Sequence, residues 1–537
     1  MAEIYADREN LKEKLENLNM EIRRELFSET FIKYLHDEYR DTDRREATAL
    51  QQLDDHFHTY WAALPFGNSE KYEEKYKELE RAMGAVKNLR KFEQLSVVTP
   101  ADDQTEKRDG SKHNRCKICG ERTPLFINNG KNLQHNLKPG ERLCAVCYQK
   151  RCFEKKITDA FPSTAAVSLA YWINQTKTLC ADQYEAYKKI WGDTADAAYS
   201  EQYLIRYNLR ENRKNSSEED RKRFELAQNR LNELEKALSD KLVSCEMEAE
   251  IKYRYYAIMA FDGDDMGKWI SGQYFKKDEI LKAQSELSQA LGEYADWVKR
   301  EIRKDQDFSG EKIGSIVYAG GEDLLALVPL KNLFLVMELL RSKFKEMVSD
   351  KVAGYTMDGR ELTFSMGVVL AHYKTPLYYV LRMVRDMEKA AKQYRKEKNA
   401  VAMCLLKRSG EVLQAQFPWE AAAGEKSYIT SYLNNILKDF RTNQESLNFI
   451  RKLHSEFEPV TIRKDEQVIE EFLIESEVNR LLQKSVQSKS ITPEVKQNLF
   501  DNLCAFLKAV GSGNRQFVNF IFTLYICEFM RRSQNED

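Results

Sequence analysis

Apolar residues change their spacing along the chain, and the changes mark its parts. Leu11, Leu15, Leu18, Ile22 and Leu26 recur at helical intervals among Glu and Lys, which predicts an amphipathic opening helix. From Phe161 to about Glu250 the period stays helical and the composition highly charged, as in a helical connector; Ser217 ahead of Glu218 and Glu219 reads as a helix N-cap. Then the pattern turns to short apolar runs, Ala257–Phe261, Ile316–Ala319, Leu324–Leu330, Leu362–Tyr373 and Ala400–Leu406, which predict strands. Helices are predicted between them: one carries Leu287, Leu291, Tyr294, Val298 and Ile302, the next Leu333, Val336, Leu339 and Leu340, and a third covers 376–396. The order β-α-β-β-α-β-α-β predicts an α+β unit with a ferredoxin-like core, an antiparallel sheet backed by helices. After Gly410 the expectation is helices alone, with Thr492 capping a helix that begins at Pro493 and with Phe517–Met530 apolar nearly all round. The segments expected are 1–98, helical; 99–160, opened by a polar linker through residue 114; 161–250, connector; 251–410, the mixed unit; and 411–537, helical.

Composition narrows the classes. Lys and Arg number 84 against 85 Asp and Glu, so the net charge of -1 predicts no general affinity for polyanions, and any nucleic-acid contact must come from local patches. No apolar run reaches the length of a membrane span, and the charged N-terminus carries no signal-peptide pattern, so a cytoplasmic protein is expected. Four of the ten cysteines fall in two Cys-x-x-Cys pairs, Cys116 with Cys119 and Cys144 with Cys147. That spacing lets two thiolates from each pair close a tetrahedral shell, which predicts structural zinc and no disulfide framework. His36-Asp37 is the dipeptide of metal-dependent phosphohydrolases, but no histidine precedes it, and it reads as part of a charged helix face.

Candidate chemistry sits at the ends of the apolar runs. In "SIVYAGGEDLLALVPL" Gly320-Gly321 predicts a tight hairpin turn, with Glu322 and Asp323 at its tip. In "AIMAFDGDDMGKWISG" a strand ends at Asp262 and runs into Gly263, Asp264 and Asp265. In a ferredoxin-like order the first strand lies beside the hairpin, so Asp262 meets Glu322 and Asp323. Carboxylates gathered in this way repel unless a cation is shared, which points to a divalent metal and a nucleoside triphosphate.

These motifs, with the strand and helix "SMGVVLAHYKTPLYYVLRMVRDMEKAAK", the cysteine pairs and "FPSTAAVSLAYW", resemble the large palm-domain subunit of type III-B, Cmr-type, CRISPR RNA-targeting complexes. The resemblance covers most of the chain from about Trp61 onward. It implies a cyclase-like palm at 251–410 that uses ATP with Mg²⁺ (or Mn²⁺) and makes a nucleotide second messenger when target RNA pairs with guide CRISPR RNA in the assembled complex. The products of the family are cyclic oligoadenylates, and some relatives join AMP to S-adenosylmethionine. Mapped onto this chain, Asp262, Glu322 and Asp323 would hold the metals; Gly263, Asp264 and Asp265, with Gly320 and Gly321, would line the nucleotide site; Ser365 would lie near a base and Lys392 near a triphosphate. Glu322 departs from the usual Gly-Gly-Asp-Asp turn by one methylene, and activity is expected to persist. The chain before Trp61 is too short for both an HD nuclease domain and a complete first palm, so the expectation is no HD nuclease and a first palm reduced or missing. The rival readings are an idle scaffold that binds guide RNA and sister subunits, and a diguanylate-cyclase-like enzyme.

Overall fold

The computed structural model describes residues 115–127, 137, 141–153, 161–192, 197–214, 218–248, 250, 252–303, 314–420, 428–442, 446–461, 470–485, 493–511 and 513–532, with short stretches between 11 and 88. Ile22 and Leu26, His36-Asp37, the linker 99–114, and the caps Ser217 and Thr492 lie outside the described residues. Two compact units divide at Phe161 and Pro162.

In the first unit, helix α1 (Tyr72–Asn88) precedes a small two-stranded ladder of β1 (Phe126–Ile127) and β2 (Arg142–Leu143), followed by helix α2 (Ala145–Phe153). A ladder this short cannot hold itself together. It is stapled by Gln52, whose amide donates to Thr123 O and accepts from Ala145 N–H, both at 2.9 Å, and by the Phe126 ring stacked on Tyr148 at 3.8 Å.

The second unit opens with the helical connector: α3 (Thr164–Ser168), α4 (Ala170–Leu179), α5 (Ala181–Lys189), α6 (Arg206–Lys214) and α7 (Glu218–Ser244). Ser163 caps α3 by accepting from Ala166 N–H at 3.0 Å. In α7 the residues Phe224, Leu231, Leu234, Leu238 and Leu242 recur at helical spacing and are all buried. Their core extends into the sheet that follows.

That sheet has six strands: β3 (Tyr255–Gly263), β4 (Ser315–Ala319), β5 (Asp323–Pro329), β6 (Phe364–His372), β7 (Ala400–Leu406) and β8 (Val412–Pro418), in the order β4-β5-β3-β6-β7-β8. The first four strands in chain order take the ferredoxin-like arrangement expected from the sequence, every neighbouring pair antiparallel. β3 is buried on both faces, which is why it reads as an unbroken apolar run. Two expectations need correction. β7 joins β6 in parallel, so the sheet is mixed, and the chain after Gly410 is not all helical, because β8 pairs with β7 and carries the sheet to Pro418.

Helices α8 (Met266–Ile270), α9 (Ile280–Arg303), α10 (Leu333–Phe344) and α11 (Leu377–Lys392) connect the strands. At Gly367 of β6 a Cβ would lie 2.5 Å from Val384 O and 2.8 Å from Met387 C, so the missing side chain lets α11 press its backbone against the sheet. Among the described residues, five helices follow the sheet: α12 (Ile429–Thr442), α13 (Ser446–Thr461), α14 (Glu471–Ser485), α15 (Pro493–Val510) and α16 (Asn514–Arg532). α16 buries Phe517, Phe520, Ile521, Leu524, Cys527 and Met530, as its apolar circumference predicts, and Asn519 ties it to β8 by accepting from Gln416 N–H at 3.0 Å. Among the described residues, no helix is long and apolar enough to cross a membrane.

Candidate active site and metal centre

The hairpin between β4 and β5 builds one end of the site. Its turn closes by a 3.0 Å bond from Gly320 N–H to Asp323 O. Gly321 has φ +98°, and a Cβ there would lie 2.7 Å from Leu291 O of α9. A Cβ on Gly320 would strike the Asp323 carboxylate. The two glycines therefore keep the turn tight and leave room for the acid beside it.

On the neighbouring strand Asp262 pairs in register with Asp323 on one side and with Ser365 on the other. Burial, then the charge of Asp262, raises the pKa of both Glu322 and Asp323; Arg385 partly offsets this at Asp323. The Lys392 ammonium, at the end of α11, bonds the Asp262 carboxylate. The donor set is thus oxygen-rich, mutually repelling and half-buried, and it fits a hard divalent cation.

The next two acids do different work. Asp264 is 4% exposed, and its carboxylate accepts from Thr363 Oγ1 and Ser365 Oγ at 2.8 Å and from Asn399 N–H at 3.0 Å. Burial raises its pKa against those three bonds. Asp265 has φ +55° and accepts from Lys398 Nζ at 2.9 Å, with Lys268 Nζ at 3.4 Å; these pairs outweigh burial and lower its pKa.

The first unit holds a different donor set. One ligand atom from each of Cys116, Cys119, Cys144 and Cys147 lies within 4.8 Å of the others. Among the described residues, no other group of His, Cys, Asp or Glu is drawn together to that distance, the palm-end carboxylates included. Burial, then the nearby Cys116, pushes the Cys147 thiol up to about 12, and the bond shared with Cys116 raises Cys144. Four cysteine sulfurs gathered within 4.8 Å, three of them buried, suit a soft-ligand ion such as zinc.

The model of the Cas10/Cmr2 second palm domain matches residues 255–402, the span from β3 into β7. This stretch is similar to that palm domain. A curated relative, the CRISPR system Cmr subunit Cmr2 of Pyrococcus furiosus, is 27% identical over 361 residues, which cover 59% of this chain and 38% of the relative. The chain therefore matches well under half of that relative's length. Two solved structures share the fold with a TM-score of 0.55: type III-B Cmr-beta bound to cognate target RNA, 14% identical, spanning 99% of this chain and 70% of the other, and Cmr-beta in the apo state, 13% identical, spanning 98% and 69%.

Within the matched span 255–402, Asp262, Glu322, Asp323 and Lys392 come together at one end of the sheet. Two of the expected ligand contacts are displaced. Ser365 is fully buried and donates to Asp264, so it supports that acid from within the fold instead of facing a base. The N–H groups of Gly263 and Asp264 do not point into an open loop, because each donates at 2.8 Å to a neighbouring strand end, at Glu322 O and Thr363 O. Thr363, Lys398 and Asn399 were not singled out from the sequence. The one available signal was the "KEKNA" turn before β7, where Lys398 and Asn399 both take positive φ.

Proposed function

We propose that this Cas10/Cmr2 palm is an ATP-dependent nucleotidyltransferase that makes a nucleotide second messenger within a type III-B complex, switched on by target RNA. The observation that carries the reading is the pairing of Asp262 with Asp323, with Glu322 in the adjoining turn and Lys392 beside them. A ribose hydroxyl oxygen of one nucleotide would bond to the α-phosphorus of ATP as the bond to the bridging oxygen breaks and pyrophosphate leaves. Mg²⁺ or Mn²⁺ held by Asp262, Glu322 and Asp323 would supply neutralisation of the phosphate charge and acidification of the hydroxyl. The side chains would do the rest. The three carboxylates fix where the charge of the triphosphate is met, and Lys392 stands ready to exchange Asp262 for a phosphate oxygen. Asp264 is a positioning residue, locking the end of β3 to β6 and to the turn before β7. Products would be cyclic oligoadenylates, or an AMP conjugate when S-adenosylmethionine is the acceptor.

The test is to assemble the chain with Cmr-type partner subunits, guide RNA and matching target RNA, and to analyse by mass the products of labelled ATP with Mg²⁺ or Mn²⁺, with and without S-adenosylmethionine. Adenylate products that require target RNA support the reading. Intact ATP under every condition would leave a scaffold subunit, and preferential use of GTP would favour a diguanylate-cyclase-like enzyme. Zinc on the four cysteines is the companion reading. Elemental analysis of the purified chain should find it, and Cys144→Ser should release it and lower the melting temperature of the first unit.

A further inference from the structure

The end of the sheet away from Asp262 collects charge of the opposite sign. There β3 begins, β6 ends and β7 ends, with Tyr255 paired to His372. Arg254, Lys374 and Arg408 lie within two residues of those strand ends and all act on His372, which is 4% exposed. Burial first, then those three cations, holds the imidazole down to about 4.

Hydrogen bonds fix the backbone that carries the three cations. Tyr373 N–H donates to Arg254 O at 3.0 Å, Arg408 N–H to Tyr255 Oη at 3.1 Å, and Lys374 N–H to His372 Nδ1 at 3.1 Å. The Lys374 ammonium lies 5.1 Å from the centre of the Tyr207 ring and 5.9 Å from that of Tyr373. Tyr207 is itself 48% exposed, and in the first turn of α11 Tyr378 is 77% exposed. The carboxylate that acts on Lys374 is Glu211, which Lys214 already engages at 2.8 Å. Burial, then Arg408, lowers the pKa of Lys374.

Cations crowded together repel, and tyrosine faces left in water forgo their stacking surface. One kind of ligand relieves both, a chain of phosphates carrying flat rings. We infer that this end of the palm docks single-stranded RNA, with phosphates on Lys374, Arg408 and Arg254 and bases stacked on Tyr207 and Tyr378. An acidic protein segment would satisfy the cations but leave the exposed rings without a matching partner. Because the whole chain is close to neutral, such a contact has to be local, as this one is. The inference stands apart from the nucleotidyl-transfer reading, since it concerns the opposite end of the sheet and is read by binding alone.

The experiment is fluorescence anisotropy of a fluorescein-labelled oligouridylate titrated with the full chain over a range of salt. The parent should bind. Lys374→Glu combined with Arg408→Glu should weaken binding at least about tenfold and flatten the salt slope by about 1.4. Tyr207→Ala with Tyr378→Ala should weaken it about tenfold with the slope unchanged. All four positions are exposed, and melting curves matching the parent's would show that the variants are folded. Absence of binding by the parent, or variants that bind as the parent does, would overturn the inference. So would equal competition by polyglutamate together with silent tyrosine variants, which would assign the surface to an acidic protein.

Discussion

One end of the six-stranded sheet draws its charge from a hairpin and the strand beside it, while the other end draws it from four distant segments. Asp262, Glu322 and Asp323 come from two stretches already acidic in the sequence, and register alone brings them together. Tyr207, Arg254, Lys374 and Arg408 come from α6 and from three strand ends, each a single unremarkable residue. The acidic end also contains its own counter-charge, because Lys392 bonds Asp262 and Arg385 acts on Asp323. At the basic end three cations act on one buried imidazole, and the carboxylate that acts on Lys374, Glu211, is shared with Lys214. The difference teaches that a charge cluster can be assembled either by local sequence or by the convergence of strand ends, and that motifs reveal only the first.

The contrast can be broken at several points. Glu322→Ala with Asp323→Ala should lower ATP turnover of the assembled complex by about a thousandfold or more, while oligouridylate binding by the chain stays at the parent's level. If both fall together, the two ends are not independent. Gly321→Ala must accommodate φ +98° and a carbonyl 2.7 Å from its new Cβ, so it should cost about 2–3 kcal/mol in denaturant unfolding.

At the basic end the pH dependence has a definite sign. His372 is depressed from 6.5 to about 4 in the fold, so the unfolded chain takes up its proton first as pH falls. Its neutral form contributes stability that is present above pH 6.5 and is lost as pH falls through that window, by about 3 kcal/mol at most. His372→Asn keeps an acceptor for Lys374 N–H and should flatten the fall in stability between those two pH values; an unchanged profile would place the acid sensitivity elsewhere. The smallest effect belongs to Lys392→Met. Its ion pair is partly exposed, so stability should change by less than about 1 kcal/mol. Calorimetry should show Mg²⁺ binding strengthened in this variant, since no ammonium competes for Asp262, and weaker ATP binding.

Much of the acidic end was legible because its determinants are local. A glycine pair sets the turn, a buried run sets each strand, and the strand order then fixes which acids meet. The cysteine pairs are legible for the same reason, each knuckle being defined within four positions. Asp262, Asp264 and Asp265 look equivalent in the sequence, and only the sheet separates them. Asp264 is pulled inward between Thr363, Ser365 and the turn at Asn399, while Asp262 stays at the open end beside Lys392. β8 is hard to read because it is a short edge strand that ends in Pro418, and Ala415 and Phe417 are buried where helices that come later in the chain pack on it. The parallel placement of β7 escaped for a topological reason: a strand, a helix and another strand in succession do not by themselves say on which side of the sheet the last one lands.

Helix α11 touches both worlds. It begins at Leu377, just past the basic end, and finishes at Lys392, bonded to Asp262. Its sixteen residues make a rod about 24 Å long, clamped near its middle where Gly367 lets its backbone meet the sheet. Val380, Val384, Met387 and Ala391 bury one side of it from end to end. The helix therefore acts as a ruler, setting the distance between a ring in water and an ammonium among acids.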